Sequence, residues 1–483
     1  MAVLEMEPKE VFHYFEEICS IPHGSSHTEL ISEYLVNFAK ERELRYIQEE
    51  CGNVIIFKEA SKGYENAPTV ILQGHMDMVC EKDEEASIDF LKDGLKLQVK
   101  DDYIFAEHTT LGGDDGIAVA YALAILASSE DDIQHPALEA VFTVDEEIGM
   151  LGATALDASV LKGKMLLNID SEEEGILTTS CAGGVVGEVT LPFHPVEVEG
   201  VSYELLIEGL NGGHSGVEIH KERGNANILM GRLLFEISEK LGFGISAISG
   251  GLKDNAIPRA ARAVIWLDEK NEELLKEVAE NFEKTIRKEY RASDGNVTVK
   301  VGKQQEVQGE IIHPREKEML IYILRNLPNG VQKISVEIPG LVETSCNLGI
   351  VKTLEDSVQL QISIRSSVES EKRELSDKIR YLTEFLGCDY VESGDYAGWE
   401  YNPDSKLQKI MIEVYEKKYG EQPKVEAVHA GLECGILSAK LPGLQCISIG
   451  PDILDIHTPK ERLSISSTRR VWEYVKAVLA EIR

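Results

Sequence analysis

"ILQGHMDMVCEK", residues 71–82, starts as a buried β-strand and ends in chemistry. Val70, Ile71 and Leu72 form a short apolar run, and Gly74, His75, Met76 and Asp77 follow with no polar spacer. In an open α/β sheet, ligands sit outside the carboxyl ends of the strands. An imidazole and a carboxylate two residues apart, where a core strand surfaces, therefore mark the place to look for a site.

Working outward, the first part of the chain reads as alternating α and β. Apolar periodicity predicts helices at about 8–19 and 28–41, the second preceded by the cap-like "GSSHTE". Strand-like runs follow at 53–59, 68–74, 138–144 and 164–170. Between the second and third lies "DDGIAVAYALAILASS", apolar nearly all round, as a helix packed on a sheet would be. This is the pattern of an α/β fold, a mainly parallel sheet flanked by helices on both faces. After residue 184 the texture becomes α+β. Alternating strands ("GEVTLPFHPVEVEGVSYELLIEGL") give way to helices at 225–241 and 271–290, a helix near 316–326, the strand "VQLQISIRSS" and a helix at about 370–386. From about 395 the α/β style returns, with the strand "LQCISIG" and a closing helix. One discontinuous domain, 1–184 and 395–483, with a second domain at 185–394 inserted into it, is the organisation predicted.

The 483 residues suffice for two or three cores, and 43% hydrophobic with 28% charged residues is the profile of a globular protein, neither disordered nor membrane-embedded. No apolar run of about 18 residues is present. The acidic start "MAVLEMEPKEVF" does not suit a secretory leader, and eight scattered cysteines without a CxxC pair suit reduced thiols, so a cytoplasmic location is expected. A formal charge of −35 argues against nucleic acid or an anionic membrane as partner.

Acids and histidines leave one strand end after another. His75 and Asp77 follow the first of these strands, Asp145, Glu146 and Glu147 the next, and Asp170 the next; Asp114 and Asp115 open the buried helix, and His457 lies in the loop after the last strand. Taken singly, each acid is as simply a helix cap or a solvated loop residue, and each histidine a structural imidazole. Together, in the order H-x-D, D-D, E-E, D, H, they form an inventory for divalent metal. The mixed nitrogen and oxygen donors favour zinc, cobalt or manganese over calcium. Cys80 invites a nucleophile reading, which the metal constellation makes unnecessary.

The order and wording of these motifs resemble the M20 family of di-zinc metallopeptidases, and within it the aminoacyl-histidine dipeptidase (Xaa-His dipeptidase, peptidase D) group. The resemblance rests on "GHMDMVCEK", "TTLGGDDGIAVA", "DEEIGMLGA", "NIDSEEEG", "CAGG", "GLNGGHSG", "NAIPR", "ETSCNLG", "SIRSS", "HAGLECGIL" and "DIHTPKERL", and it covers essentially the whole chain. It implies a zinc-exopeptidase-like catalytic domain with an inserted α+β lid that also serves dimerisation, and two zinc ions per subunit, with cobalt or manganese as substitutes. His75 and Asp170 would hold one ion, His457 and Glu147 the other, and Asp115 would bridge them. Asp77 would accept a hydrogen bond from His75 to fix its tautomer, and Glu146 would be the general base. His214 of the lid would stabilise the oxyanion. Asn255, Arg365 and Gly431 would contact substrate, Arg365 pairing its planar fork with a terminal carboxylate. The activity implied is hydrolysis of unblocked dipeptides, preferentially Xaa-His and carnosine-like, by a homodimer. Alternatives are a tripeptide aminopeptidase, an N-acyl-amino-acid deacylase, or a non-catalytic metal-binding protein on the same fold.

Overall fold

Apolar runs without alternation become strands here because both of their faces are covered. In the computed structural model, which describes residue 3 and residues 6–129, 132–304 and 308–483, Val54, Ile56, Val70, Leu72, Leu138, Ala140, Met165 and Leu167 enter one core. That core is shared with the helices Lys9–Cys19, Glu29–Glu41, Gly113–Ala127, Lys406–Tyr419 and Ile465–Glu481. The intervening Ile55, Ile71, Val141 and Leu166 are also fully buried. They lie on the opposite face, where helix Glu433–Lys440 packs against Ile176–Cys181 and Gln445–Ser448. Positions 1, 2, 4 and 5 of the acidic N-terminal stretch lie outside the described residues.

The sheet has eight strands in the order Arg45–Gln48, Val54–Lys58, Leu138–Thr143, Val70–His75, Met165–Asn168, Gln445–Ser448, Ile176–Cys181, Lys424–Val428. Its four central strands, from Leu138–Thr143 to Gln445–Ser448, run parallel as expected. The flanks add antiparallel pairing that the apolar pattern does not reveal. The five residues between Gln48 and Val54 are too few for a crossover, so that pair is a hairpin. The last of the four parallel strands to be made, Gln445–Ser448, lies between Met165–Asn168 and Ile176–Cys181.

The chain divides into two units. The first comprises Met1–Cys181, Tyr401–Ala427 and Leu432–Arg483; the second comprises Ala182–Glu400 with Val428–Gly431. The change of sequence texture lies within a few residues of these bounds, at 184 and 395, but gives no sign that Val428–Gly431 leaves the returning segment. It joins the second unit because the Ala182 N–H donates to the carbonyls of Val428 (3.2 Å) and Ala430 (3.0 Å).

The second unit is built on a nine-stranded antiparallel sheet. Its core takes in helices Ala226–Ser238, Glu272–Glu289, Pro314–Asn326 and Glu369–Phe385. Most strands of the inserted segment thus share a single continuous sheet. No described helix is long and apolar enough to cross a membrane.

Candidate metal centre

Parallel pairing in register brings the carboxyl ends of the central strands level: Gln73 faces Asn168, and His75 faces Thr143. The residues that follow converge there. His75 is 1% exposed. Its Nδ1 donates to the backbone carbonyl of Asp77 (3.0 Å), which leaves the Nε2 lone pair facing Asp114 Oδ1 (3.1 Å) and Asp170 Oδ1 (3.6 Å). A lone pair opposite two carboxylate oxygens is repulsive unless a proton or a cation stands between them.

Asp114, not Asp115, stands between the two imidazoles. Asp114 Oδ1 meets His75 Nε2, and its Oδ2 meets His457 Nε2, each at 3.1 Å. Asp115 turns toward the strand, where its Oδ2 accepts the backbone N–H of His75 (3.1 Å). Both residues have non-helical backbone angles at the start of Gly113–Ala127, so neighbouring carboxylates point to different partners. Gly74 makes room for this approach: a Cβ there would stand 2.5 Å from both Asp115 Oδ2 and Ala118 Cβ.

His457 Nε2 also meets Glu147 Oε1 at 2.9 Å. Among the described residues two sets of donors have ligand atoms within 4.8 Å of one another, His75 with Asp115 and Asp170, and His75 with Asp114 and Glu147. Asp77 has partners besides the expected imidazole. Its carboxylate lies 3.5 Å from His75 Nδ1, but it accepts from Ser25 Oγ (2.8 Å) and from the backbone N–H groups of Glu146 (3.0 Å) and Glu147 (3.4 Å). It therefore orients the acidic turn, while its own carbonyl fixes the imidazole.

The electrostatics are those of a buried acid cluster around two imidazoles. Burial, followed by the charges of Asp170, Glu433 and Glu147, pushes Glu146 up to about 9. Burial likewise pushes Asp170 to about 6 and Asp115 well above the carboxylate range. Hydrogen bonds to Asp114 and Glu147 raise His457 to about 10. Burial lowers His75, but Asp114, Asp170 and Asp77 outweigh it and hold the imidazole above its usual value. A divalent cation would reverse all of these tendencies. The donors therefore fit such an ion.

Two further acids were not singled out by their chemistry in the sequence. Glu433 is fully buried, and its Oε2 accepts from Gln73 Nε2 and from Thr143 Oγ1 (2.7 Å). Gln73 Oε1 accepts from Asn168 Nδ2 (2.6 Å). This network lies beneath the centre, joining three of the converging strands to helix Glu433–Lys440. A lone acid inside the apolar "GLECGIL" is the signal that could have found it. Glu461, in "HTPKERL", is the second.

The remaining site residues lie in the second unit. His214 and Asn255 meet where Gly213–His214 pairs with Ala256–Ile257 and the Asn255 carbonyl accepts the Ser215 N–H (2.9 Å). His214 Nδ1 accepts the N–H groups of Gly216 (3.0 Å) and Val217 (3.2 Å), so the ring proton is on Nε2. Burial, then the Arg365 charge, holds this imidazole below its usual pKa, making it a neutral donor. Arg365 is 8% exposed and donates to the Tyr396 hydroxyl (2.8 Å), while its buried Nε has no hydrogen-bond partner among the described residues. His429, which the sequence reading passed over, bonds Ser345 Oγ through Nε2 (2.7 Å) and is pushed down to about 3 by burial and then by Arg365. Gly431 ends the Val428–Gly431 segment of this unit.

Residues 71–481 match the model of peptidase family M20/M25/M40. The chain belongs to this family. Over 480 residues the M20 chain is 34% identical to the cytosol non-specific dipeptidase of Escherichia coli (strain K12), covering 99% of this chain and 98% of that relative. Its structure is similar to the crystal structure of aminoacylhistidine dipeptidase from Vibrio alginolyticus, with a TM-score of 0.94 at 35% identity, covering 100% and 98% of the two chains. Aminopeptidase PepT from Bacillus cereus has the same fold at 16% identity, with a TM-score of 0.59 and 99% of each chain covered. An α/β domain interrupted by an α+β insertion is thus the architecture of an M20 peptidase.

Proposed function

We propose that this M20 peptidase is a metal-dependent dipeptidase that hydrolyses unblocked dipeptides, preferentially those ending in histidine. The observation that carries the reading is the Asp114 carboxylate standing between His75 and His457, with Asp170 on the side of the first imidazole and Glu147 beside the second. That donor set suits two divalent ions, zinc by the balance of nitrogen and oxygen donors, with cobalt and manganese as substitutes. When bound, the ions supply Lewis acidity toward the scissile carbonyl and toward an attacking water.

The chain's own residues supply the rest. Glu146, whose carboxylate makes no hydrogen bond or ion pair among the described residues, takes a proton from the attacking water and returns it to the leaving amine. His214 donates from Nε2 to the oxyanion. Arg365, with Asn255 and the Gly431 backbone, receives the substrate's terminal carboxylate; its unpartnered buried Nε supports this role. The second unit acts as the lid. Eight scattered cysteines with no CxxC pair support a cytoplasmic setting, and a homodimer is part of the same reading.

The test is hydrolysis of Ala-His, β-Ala-His, Ala-Ala-Ala and N-acetyl-His by protein stripped of metal and resupplied with zinc, cobalt or manganese. Metal-restored cleavage favouring a C-terminal histidine is expected. Preference for the tripeptide or the acylated amino acid would replace the dipeptidase reading with the corresponding one, and no cleavage under any metal would overturn it.

A further inference from the structure

Asp114 and His457 lie 343 residues apart in sequence, yet their side chains must meet at 3.1 Å. His75 has its Nδ1 pinned by a carbonyl. Among the described residues His457 makes no such bond through Nδ1, and its side chain is 43% exposed. Apart from the two carboxylates at Nε2, the place of its ring is therefore set by its backbone. Asp455 and His457 both take left-handed φ values, 55° and 57°. The turn that holds them is closed by Thr458 Oγ1 donating to the Asp455 carbonyl (2.7 Å) and the Glu461 N–H donating to the Thr458 carbonyl (3.0 Å).

Glu461 ends that turn and is 2% exposed. Its Oε2 accepts the N–H groups of Leu111 (2.9 Å) and Gly112 (3.3 Å), and its Oε1 accepts that of Gly113 (2.8 Å). Three consecutive amides, with Gly112 at φ 66°, form a backbone nest suited to an anion, and the next residue is Asp114. On its other side, Glu461 leads into Arg462–Ser464, which pairs with Tyr103–Phe105. One buried carboxylate, held by charge-assisted bonds, thus ties the loop that carries His457 to the loop that carries Asp114.

We propose that Glu461 is a positioning residue, which sets the separation of His457 from Asp114 and so holds the cation position formed by Asp114, Glu147 and His457. This rests on the two-cation reading above. Glu139 provides a matched control: it is 3% exposed and accepts the N–H groups of Lys162 and Gly163 at 3.0 Å, near the other end of strand Leu138–Thr143.

Metal-stripped wild type, E461A, E461Q and E139A are titrated with zinc against a competing chelator, and bound zinc per chain is counted after desalting. Wild type and E139A are expected to take two ions. E461A should keep the first with unchanged affinity and bind the second roughly 10- to 100-fold more weakly, with E461Q, which retains one acceptor oxygen, in between. A wild type that takes fewer than two ions overturns the two-cation reading itself. A wild type and an E461A that both take two ions with equal affinities overturn only the role of Glu461. Equal weakening of both ions, or the same loss in E139A, also overturns that role, because a tie between two loops acts selectively. Should E461A fail to fold, an unchanged second affinity in E461Q overturns it alone.

Discussion

At the scale of single residues, the centre depends on which of two adjacent carboxylates points between the imidazoles. Asp114→Asn removes an anionic oxygen from that position, and both ions are expected to bind at least about tenfold more weakly. Asp115→Asn keeps an acceptor for the His75 N–H and should change either affinity by less than about threefold. Calorimetric zinc titration of the two variants checks the assignment, and the reverse ranking would restore Asp115. Glu146→Ala is expected to retain both ions while kcat falls by about 10²-fold or more, read as turnover beside counted metal; near wild-type turnover would remove it as the base. The types and strand-end placement of these residues were legible in the sequence, because a chain that surfaces from a core strand into acids and histidines has few bland explanations. The choice between Asp114 and Asp115 was not, since it depends on non-helical backbone angles at the helix start that no periodicity records. Asp77 is similar: its spacing from His75 was visible, but not that its carboxylate would hold the backbone of the Glu146–Glu147 turn.

At the scale of elements, the strand that ends in His75 and the helix that opens at Asp114 can approach only because residue 74 lacks a side chain. Gly74→Ala would place a methyl group 2.5 Å from Ala118 Cβ and Asp115 Oδ2. Overpacking of this kind costs about 1–3 kcal/mol. A lower urea midpoint in the metal-free protein, together with weakened zinc binding, is the expected result; an unchanged midpoint would show that strand and helix separate freely. Elements marked by an apolar stripe or a largely apolar run were read directly, such as helix Lys9–Cys19 and strand Leu138–Thr143. Val342–Thr353, "VETSCNLGIVKT", was missed as a strand because its first eight residues are buried irrespective of polarity, so that neither alternation nor an apolar run marks it. The short pair Leu97–Lys100 and Tyr103–Ala106, which with Arg462–Ser464 frames the His457 loop, is too brief for any pattern.

At the scale of the whole molecule, the metal-free protein carries charge that folding brings together unfavourably. His457 is raised to about 10 by Asp114 and Glu147, Glu146 to about 9 and Asp170 to about 6 chiefly by burial. Their unfolded values are about 6.5, 4.3 and 3.9. Because each folded value lies above the unfolded one, each contribution to stability is complete below the unfolded pKa and is lost as pH rises through the folded pKa. All three run the same way, so the melting temperature of the metal-free protein should fall from about pH 5 to about pH 9. Zinc requires deprotonated ligands, so its stabilising effect should grow over the same interval. Thermal scans with zinc or with chelator across this range check both, and a flat metal-free profile would contradict the acid-cluster account. The strand order of the first unit has a further consequence, in time. Gln445–Ser448 lies inside the sheet, but it is synthesised about 270 residues after its neighbour Ile176–Cys181. At about 5–20 residues per second, the nascent chain spends roughly 15–50 s with an open slot between Met165–Asn168 and Ile176–Cys181. During that interval the unpaired strand edges beside the future metal centre need protection by chaperones or by the ribosome itself.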